Sequence, residues 1–155
     1  MHKHLVFSLA ICASAVFAYG SDYPRVRTVA MNAYMNGSGI WQNSNYLTFK
    51  KITEIPDTSK TWVFIEERED SINDGYFAVM MESRYTLVDT PANYHNNGCI
   101  ISFADCHVEH HRWLEPTTTP LLIRGAHLSG VPIYTSKTDR DLKCLTERTT
   151  VKMRE

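Results

Sequence analysis

Alternating apolar and polar positions recur along the chain and predict strands joined by polar turns. Residues 25–35 alternate for part of their length, which is typical of a strand with one buried face. Residues 61–67 and 75–81 are aromatic and β-branched runs, and the acidic stretch between them ends in Asp74-Gly75. We therefore expect these two runs to pair as an antiparallel hairpin joined by a solvated loop.

The second half of the chain predicts another hairpin and one helix. After a long polar connection over residues 82–98, two strands over residues 99–113 are expected to turn at residues 104–106. Threonines and prolines interrupt any regular structure over residues 114–120. The charges and leucines of residues 139–148 have the spacing of a short amphipathic helix.

The register of the later hairpin follows from its short turn. If Phe103 opposes His107, then Cys99 faces His111 and Cys106 lies in the turn. Cys99 and Cys106 are then too far apart for a disulfide, whose Cα atoms must lie within about 7 Å of each other. We predict that these two cysteines are not bonded.

The first residues of the chain have a different composition. Residues 5–18 form an uncharged and mostly apolar run, shorter than the roughly 20 residues that span a bilayer. Small residues at Val16 and Ala18 suit a signal peptidase. Residues 1–18 are therefore predicted to be a signal peptide, with a short anchor helix as the alternative. The protein is expected to be exported to the periplasm, the cell envelope or the extracellular space.

Composition is consistent with one domain over residues 25–150. The chain has 155 residues, of which 43% are hydrophobic and 21% charged, as in ordinary globular proteins. The net charge is −1 and no basic block occurs, so nucleic acid is excluded as a partner. The expected fold class is α+β, mainly an antiparallel β-sheet, as a meander of about five strands with long loops and an N-terminal apolar leader helix.

Four side chains around the later hairpin are candidates for a metal site: His95, Asp105, His107 and Glu109. Residues two apart on a strand share a face and lie about 6.5–7 Å apart, so His107 and Glu109 can approach one ion. His95 or Asp105 would have to complete the set. Such a site would suit a metal-dependent hydrolase, whereas the simpler interpretation is solvated or hydrogen-bonded histidines.

The acidic stretch offers a second candidate site at Asp70, Asn73 and Asp74. Hard oxygen ligands suit calcium, which would make the protein an exported calcium- or ligand-binding module. The EF-hand spacing fails because Ile72 stands where an oxygen ligand belongs, and Arg68 can neutralise the carboxylates. A solvated loop is the simpler interpretation, and apart from calcium the sequence predicts no cofactor.

Nucleophilic catalysis has little support in the sequence. Cys106 lies near His95 and His107, which suggests a Cys–His pair. A hairpin tip usually provides no pocket for a substrate, and no Gly-x-Ser-x-Gly elbow occurs. We therefore expect a protein that is not an enzyme.

Residues 91–98 and 101–109 combine into a specific pattern, in which nine residues separate His95 from Asp105. This pattern resembles the C-terminal module of prepilin-type, processing-associated proteins of planctomycete and verrucomicrobial lineages, which is marked by His, nine residues and Asp-Gly. Further stretches are similar to the same family: residues 26–32, 51–55, 62–67, 70–75 and 145–150.

The resemblance implies a type II secretion pseudopilin-like architecture, with an N-terminal assembly helix followed by an antiparallel sheet. It implies a non-enzymatic structural component of a secretion or pilus-type envelope assembly. The expected partners are other pseudopilin-like subunits or envelope assembly proteins, with membrane contact only through the N-terminal segment.

The motif residues are expected to fix the loop and the hairpin. His95 is expected to anchor the long connection, and Asp105 to bond the backbone of the turn. Cys106 stands where the motif has glycine. In a three-residue hairpin loop this position usually has a positive φ, which costs a cysteine on the order of 1 kcal/mol.

Overall fold

The computed structural model describes residues 27–37, 43–82, 85–122 and 132–153. The predicted leader at residues 1–18 lies outside these ranges. Within them, no helix combines the length and hydropathy needed to cross a bilayer.

The described chain forms a mainly antiparallel β-sheet with one α-helix. Its strands are β1 Val29–Asn32, β2 Trp62–Glu66, β3 Tyr76–Phe77, β4 Thr86–Leu87, β5 Gly98–Phe103, β6 Val108–Arg112 and β7 Ile133–Tyr134. The main sheet has five strands in the order β3-β1-β2-β5-β6, and β4 and β7 form a separate pair. A 3-10 turn spans Ile52–Glu54, and the helix α1 spans Arg140–Thr149.

The predicted hairpin between residues 61–67 and 75–81 is wrong, and so is the simple meander. β1 lies between β2 and β3, and it pairs in parallel with β3, with Met31 opposite Tyr76. After β2 the chain turns inward, where Arg68 N donates to Thr90 O at 3.1 Å. The acidic stretch is therefore part of a crossover that leaves the sheet, and not a tight turn between neighbours.

The later hairpin, β5–β6, is confirmed with its register. Cys99 lies opposite His111, and Phe103 N donates to His107 O at 2.9 Å. Cys99 is a buried free thiol and Cys106 an exposed one, as the register predicts.

The helix α1 covers one face of the main sheet. On that inner face Ala30 lies opposite Ile65, and Ile65 lies opposite Ile101. These side chains are buried in one cluster with Leu142 and Leu145 of α1. Full burial of each large aliphatic side chain contributes about 1.5–3 kcal/mol, so this contact is a principal source of stability.

The predicted helix is confirmed, and its first turn is fixed by carboxylates. Asp139 is the N-cap, and its Oδ1 accepts from Leu142 N at 2.8 Å. Asp141 accepts from Leu114 N and Glu115 N, both at distances of 2.8–3.1 Å. These bonds attach the irregular segment after β6 to the start of α1.

The last turn of α1 is attached to the sheet by the buried side chain of Asn32. Its Nδ2 donates to Trp62 O at 2.9 Å and to Thr149 O at 2.8 Å, and its Oδ1 accepts from Tyr34 N at 2.9 Å. The indole of Trp62 adds a bond to the hydroxyl of Thr149 at 3.1 Å. One amide therefore connects β1, β2 and α1.

We predict that Asn32→Ala lowers the free energy of unfolding by about 1–3 kcal/mol, because it leaves the buried carbonyl of Thr149 without a donor. Urea denaturation of the purified chain measures this change. The exposed Asn45→Ala is the matched control, expected to change stability by less than about 0.5 kcal/mol. Equal small changes in both variants would contradict the assigned role of Asn32.

Candidate functional site

The tip of the β5–β6 hairpin is held by Asp105. Its Oδ1 accepts from His107 N at 3.1 Å and lies 2.5 Å from Nδ1 of the same residue. Hydrogen bonds from His107 lower the pKa of Asp105, and the bond to Asp105 raises the pKa of His107. Asp105 therefore bonds the backbone of its own turn, as the sequence predicted.

From the tip, polar contacts continue toward α1. The Nε2 of His107 lies 3.3 Å from Glu109, and Arg148 donates to Glu109 at 3.2 Å. The His107 ring stacks on Phe103 with a centroid distance of 4.3 Å, and the Arg148 guanidinium lies 5.8 Å from the centroid of Phe103. These side chains therefore connect the hairpin to the helix.

His95 lies at the opposite end of the hairpin. Its N donates to Gly98 O at 3.2 Å, and its carbonyl accepts from Nε2 of His110 at 2.7 Å. Its ring lies 3.4 Å from a carboxylate oxygen of Glu66. His95 thus anchors the long connection through its backbone, while its side chain faces β2.

The proposed metal set of His95, Asp105, His107 and Glu109 is not brought together, because the length of β5 separates His95 from the turn at Asp105. In the described ranges, no group of three or more histidine, cysteine, aspartate or glutamate side chains has the arrangement of a metal site.

Cys106 has the backbone conformation that its position in the turn predicts. Its φ is 78°, in the left-handed region that favours glycine, and its N donates to Phe103 O at 3.0 Å. The thiol is exposed.

Residues 67, 68, 70 and 71 of the acidic stretch are buried, so the expectation of a solvated loop is wrong for this part, whereas Glu69 and Asp74 are exposed. Arg68 is fully buried, and its Nε and Nη2 bind the two carboxylate oxygens of Asp70 at 2.6 and 2.9 Å. Arg68 also donates to Pro120 O. Both carboxylate oxygens of Asp70 are therefore engaged in an internal ion pair. Asp74 accepts from Tyr76 N at 2.7 Å.

Two buried carboxyl groups lie beside this ion pair, at Glu67 and Asp89. Asp89 accepts from Ala78 N at 2.6 Å, and Glu67 lies 3.4 Å from Arg27. Burial raises the pKa of Glu67 to about 9 and the pKa of Asp89 to about 7. Sequence reasoning missed Asp89, although it is the one charged residue in the stretch over residues 85–92.

A cleft of about 410 Å³ lies along α1, apart from the hairpin. It is lined by side chains of Tyr46, Met80, Met81, Tyr85, Leu142 and Lys143, among others. None of His95, Asp105, His107 or Glu109 belongs to its lining. The cleft therefore does not provide a substrate pocket for the motif residues.

No protein-family model, no curated protein and no solved structure matches the chain. Any functional proposal therefore depends on the structure itself. The relevant features are the hairpin, the buried carboxyl groups and the surface of the main sheet.

We predict that Cys106→Gly raises the free energy of unfolding by about 1 kcal/mol, because glycine adopts the positive φ without a Cβ penalty. Thermal or urea denaturation measures the gain. Cys106→Ala is the control, since it removes the thiol but keeps Cβ. An equal gain in both variants would show that the thiol, and not the backbone conformation, is responsible.

We also predict that Asp105→Asn lowers the pKa of His107, because the carboxylate that stabilises the imidazolium is lost. A pH titration of the histidine ring signals by NMR measures this directly. Glu115→Gln is the control, since Glu115 is paired with Arg140. An unchanged His107 pKa in Asp105→Asn would contradict the contact.

Proposed function

We propose that the chain is a non-enzymatic structural component of a secretion or pilus-type envelope assembly. In this proposal it is an exported, pseudopilin-like β domain that packs against subunits of the same kind. The resemblance of the His95–Asp105 pattern supports the family, and an exposed apolar surface on the main sheet supports assembly. That surface is the observation that carries the proposal.

The apolar surface lies on the sheet face opposite α1, and we call it the outer face. It is defined by Val29, Met31, Phe64 and Val108. Met31 lies opposite Phe64, and Ser102 lies between Phe64 and Val108 in the strand pairing. Side chains directly opposite each other share a face about 4.5–5.5 Å apart, so Met31, Phe64, Ser102 and Val108 form one row across the sheet. Val29 lies on the same face, opposite Glu66.

Three side chains of the outer face are substantially exposed. Phe64 is 41% exposed, Val29 44% and Val108 59%. Isolated exposed apolar residues are ordinary, whereas a contiguous patch on a sheet marks an interaction surface. The outer face is therefore the surface that gains most from contact with a second subunit.

The edge of the sheet is less suited to assembly than the outer face. β6 is an edge strand, and it carries Glu109, His110, His111 and Arg112. Charged and polar side chains on an edge strand discourage the addition of a further strand. Face-to-face packing is therefore favoured over extension of the sheet.

The hairpin supports a structural function for the motif. Asp105 and His107 bind the turn, Glu109 binds the helix, and His95 binds the start of β5. Each contact stabilises this protein's own backbone or its helix packing. This arrangement supports a structural motif and gives no support to catalysis.

We predict that the purified chain self-associates and that Phe64→Asp or Val108→Asp raises the dissociation constant at least about tenfold. A charge buried without a partner is costly at an apolar contact. Sedimentation velocity over a concentration series measures the association, and circular dichroism verifies that each variant is folded.

Leu121→Asp is the matched control, since Leu121 is 85% exposed and lies outside the sheet. It should associate like the unmodified chain. Unchanged association in both outer-face variants, or an equal loss in the control, would contradict assembly through this face.

A further inference from the structure

Glu67, which follows β2, and Asp89, which follows β4, are buried carboxyl groups without full hydrogen bonding. Glu67 is fully buried and Asp89 is 3% exposed. Oε1 of Glu67 and Oδ1 of Asp89 have no hydrogen-bond partner in the described part of the chain. A carboxylate accepts through both oxygens, and its charge is costly to bury without an opposite charge and hydrogen bonds. The protonation of these two groups therefore depends on the charges around them.

Within the described ranges, Arg27 is the cation that attracts both carboxyl groups. Its contact with Glu67 is long, at 3.4 Å, and the nitrogen that makes it, Nη1, also donates to Val29 O at 3.0 Å. Its buried Nη2 has no partner among the described residues. Arg27 therefore lacks the two-bond contact of a strong arginine–carboxylate pair, and its single charge cannot compensate two buried carboxylates.

The other charged neighbours do not supply the missing positive charge. The exposed Asp74 repels both carboxyl groups, and Asp89 repels Glu67. Arg68 lies next to Glu67 in the chain, but its Nε and Nη2 bind the carboxylate of Asp70. Ionisation of both buried groups therefore places uncompensated negative charge inside the protein.

Burial is the main reason that the pKa is raised to about 9 for Glu67 and to about 7 for Asp89. The hydroxyl of Ser71 favours the ionised form of Glu67, and the N–H of Ala78 that of Asp89, but they offset only part of the cost of burial. In the unfolded chain both groups ionise near about pH 4. The folded chain therefore holds protons that the unfolded chain releases, so its stability falls as the pH rises from about 4 toward the folded-state pKa values.

The two groups lie where the crossover is attached to β1. Glu67 N donates to Thr28 O at 2.7 Å, just before β1. Asp89 Oδ2 accepts from Ala78 N at 2.6 Å, just after β3. Glu67 also forms a bridge with Pro91, so the segment that contains Asp89 runs beside it. Charge that develops on either group therefore acts on the packing of β3 and of the segment after β4.

β3 is the strand of the main sheet that such charge can release. It has two residues and lies at an edge of the sheet. Its backbone bonds with β1 run from Met31 N to Gly75 O at 2.9 Å and from Ala33 N to Phe77 O at 3.2 Å. Elements with few contacts open at a lower free energy than the core of a protein.

We propose that Glu67 and Asp89 form a pH-sensitive latch for β3. In their protonated forms they keep β3 and the segment after β4 packed beside β1, and ionisation of both groups releases β3 from β1. The carboxylates then reach water, and β1 becomes an edge of the main sheet. The latch does not depend on the proposed function, because it concerns the stability of a single copy of the chain.

Thermal unfolding of the purified chain at pH 5 and pH 8 tests the latch, with Glu67→Gln and Asp89→Asn as variants that stay uncharged. Each variant should differ little from the unmodified chain at pH 5. At pH 8 Glu67→Gln should melt at least about 5 °C higher, because it has no proton to lose. Asp89→Asn should gain less, since the pKa of Asp89 is the lower of the two. The exposed Glu147→Gln is the matched control and should melt like the unmodified chain at both pH values.

Hydrogen exchange distinguishes the release of β3 from a uniform loss of stability. After correction for the intrinsic exchange rate, the protection of the Met31 and Ala33 amides should fall at least about tenfold from pH 5 to pH 8 in the unmodified chain. The fall should be smaller in Glu67→Gln. Protection of the Phe103 amide, in the β5–β6 hairpin, should fall less than that of the β1 amides.

Carbon-13 NMR titration of the carboxyl groups in the unmodified chain measures the protonation without any substitution. The signals that disappear in Glu67→Gln and Asp89→Asn should titrate well above the ordinary range for glutamate and aspartate. Titration of both groups below about pH 5 would overturn the proposal. Variants that melt no higher than Glu147→Gln at pH 8, or equal losses of protection in β1 and in the β5–β6 hairpin, would overturn it as well.

Discussion

The side chain of Asn32 fixes which face of the main sheet is covered. Its amide joins the backbone of β2 to the last turn of α1, while its oxygen holds the chain that leaves β1. With α1 attached on the inner face, Ile65 and Ile101 are buried beneath it. Phe64, the neighbour of Ile65 in the chain, must then point to the outer face. The exposed apolar surface follows from this attachment.

Buried and hairpin polar side chains stabilise the same packing of α1 on the main sheet. The buried Arg68 and Asp70 pair with each other, and the polar residues of the hairpin bind their own turn or α1. Breaking a buried ion pair by removing one partner is costly, so such groups resist substitution even without a chemical function. Glu67 and Asp89 differ, because each has an oxygen without a partner in the described chain.

The sequence predicted those features that depend on local rules. The β5–β6 hairpin, the positive φ of Cys106 and the helix predicted over residues 139–148 follow from turn geometry and from the spacing of charges and leucines. The pairing of β3 with β1 was missed. β2 and β3 follow each other in the chain, and nothing in their sequences indicates that β1 lies between them in the sheet. Asp89 was missed for a similar reason, since its burial depends on a contact with a distant segment.

The most direct test of assembly is covalent footprinting of apolar side chains in the purified chain, compared at dilute and associated concentrations. The account predicts that labelling of Phe64, Val29 and Val108 falls on association, whereas labelling of Leu121 and Tyr134 stays the same. Protection confined to the hairpin tip or the β6 edge, with unchanged labelling of Phe64, would contradict packing through the outer face.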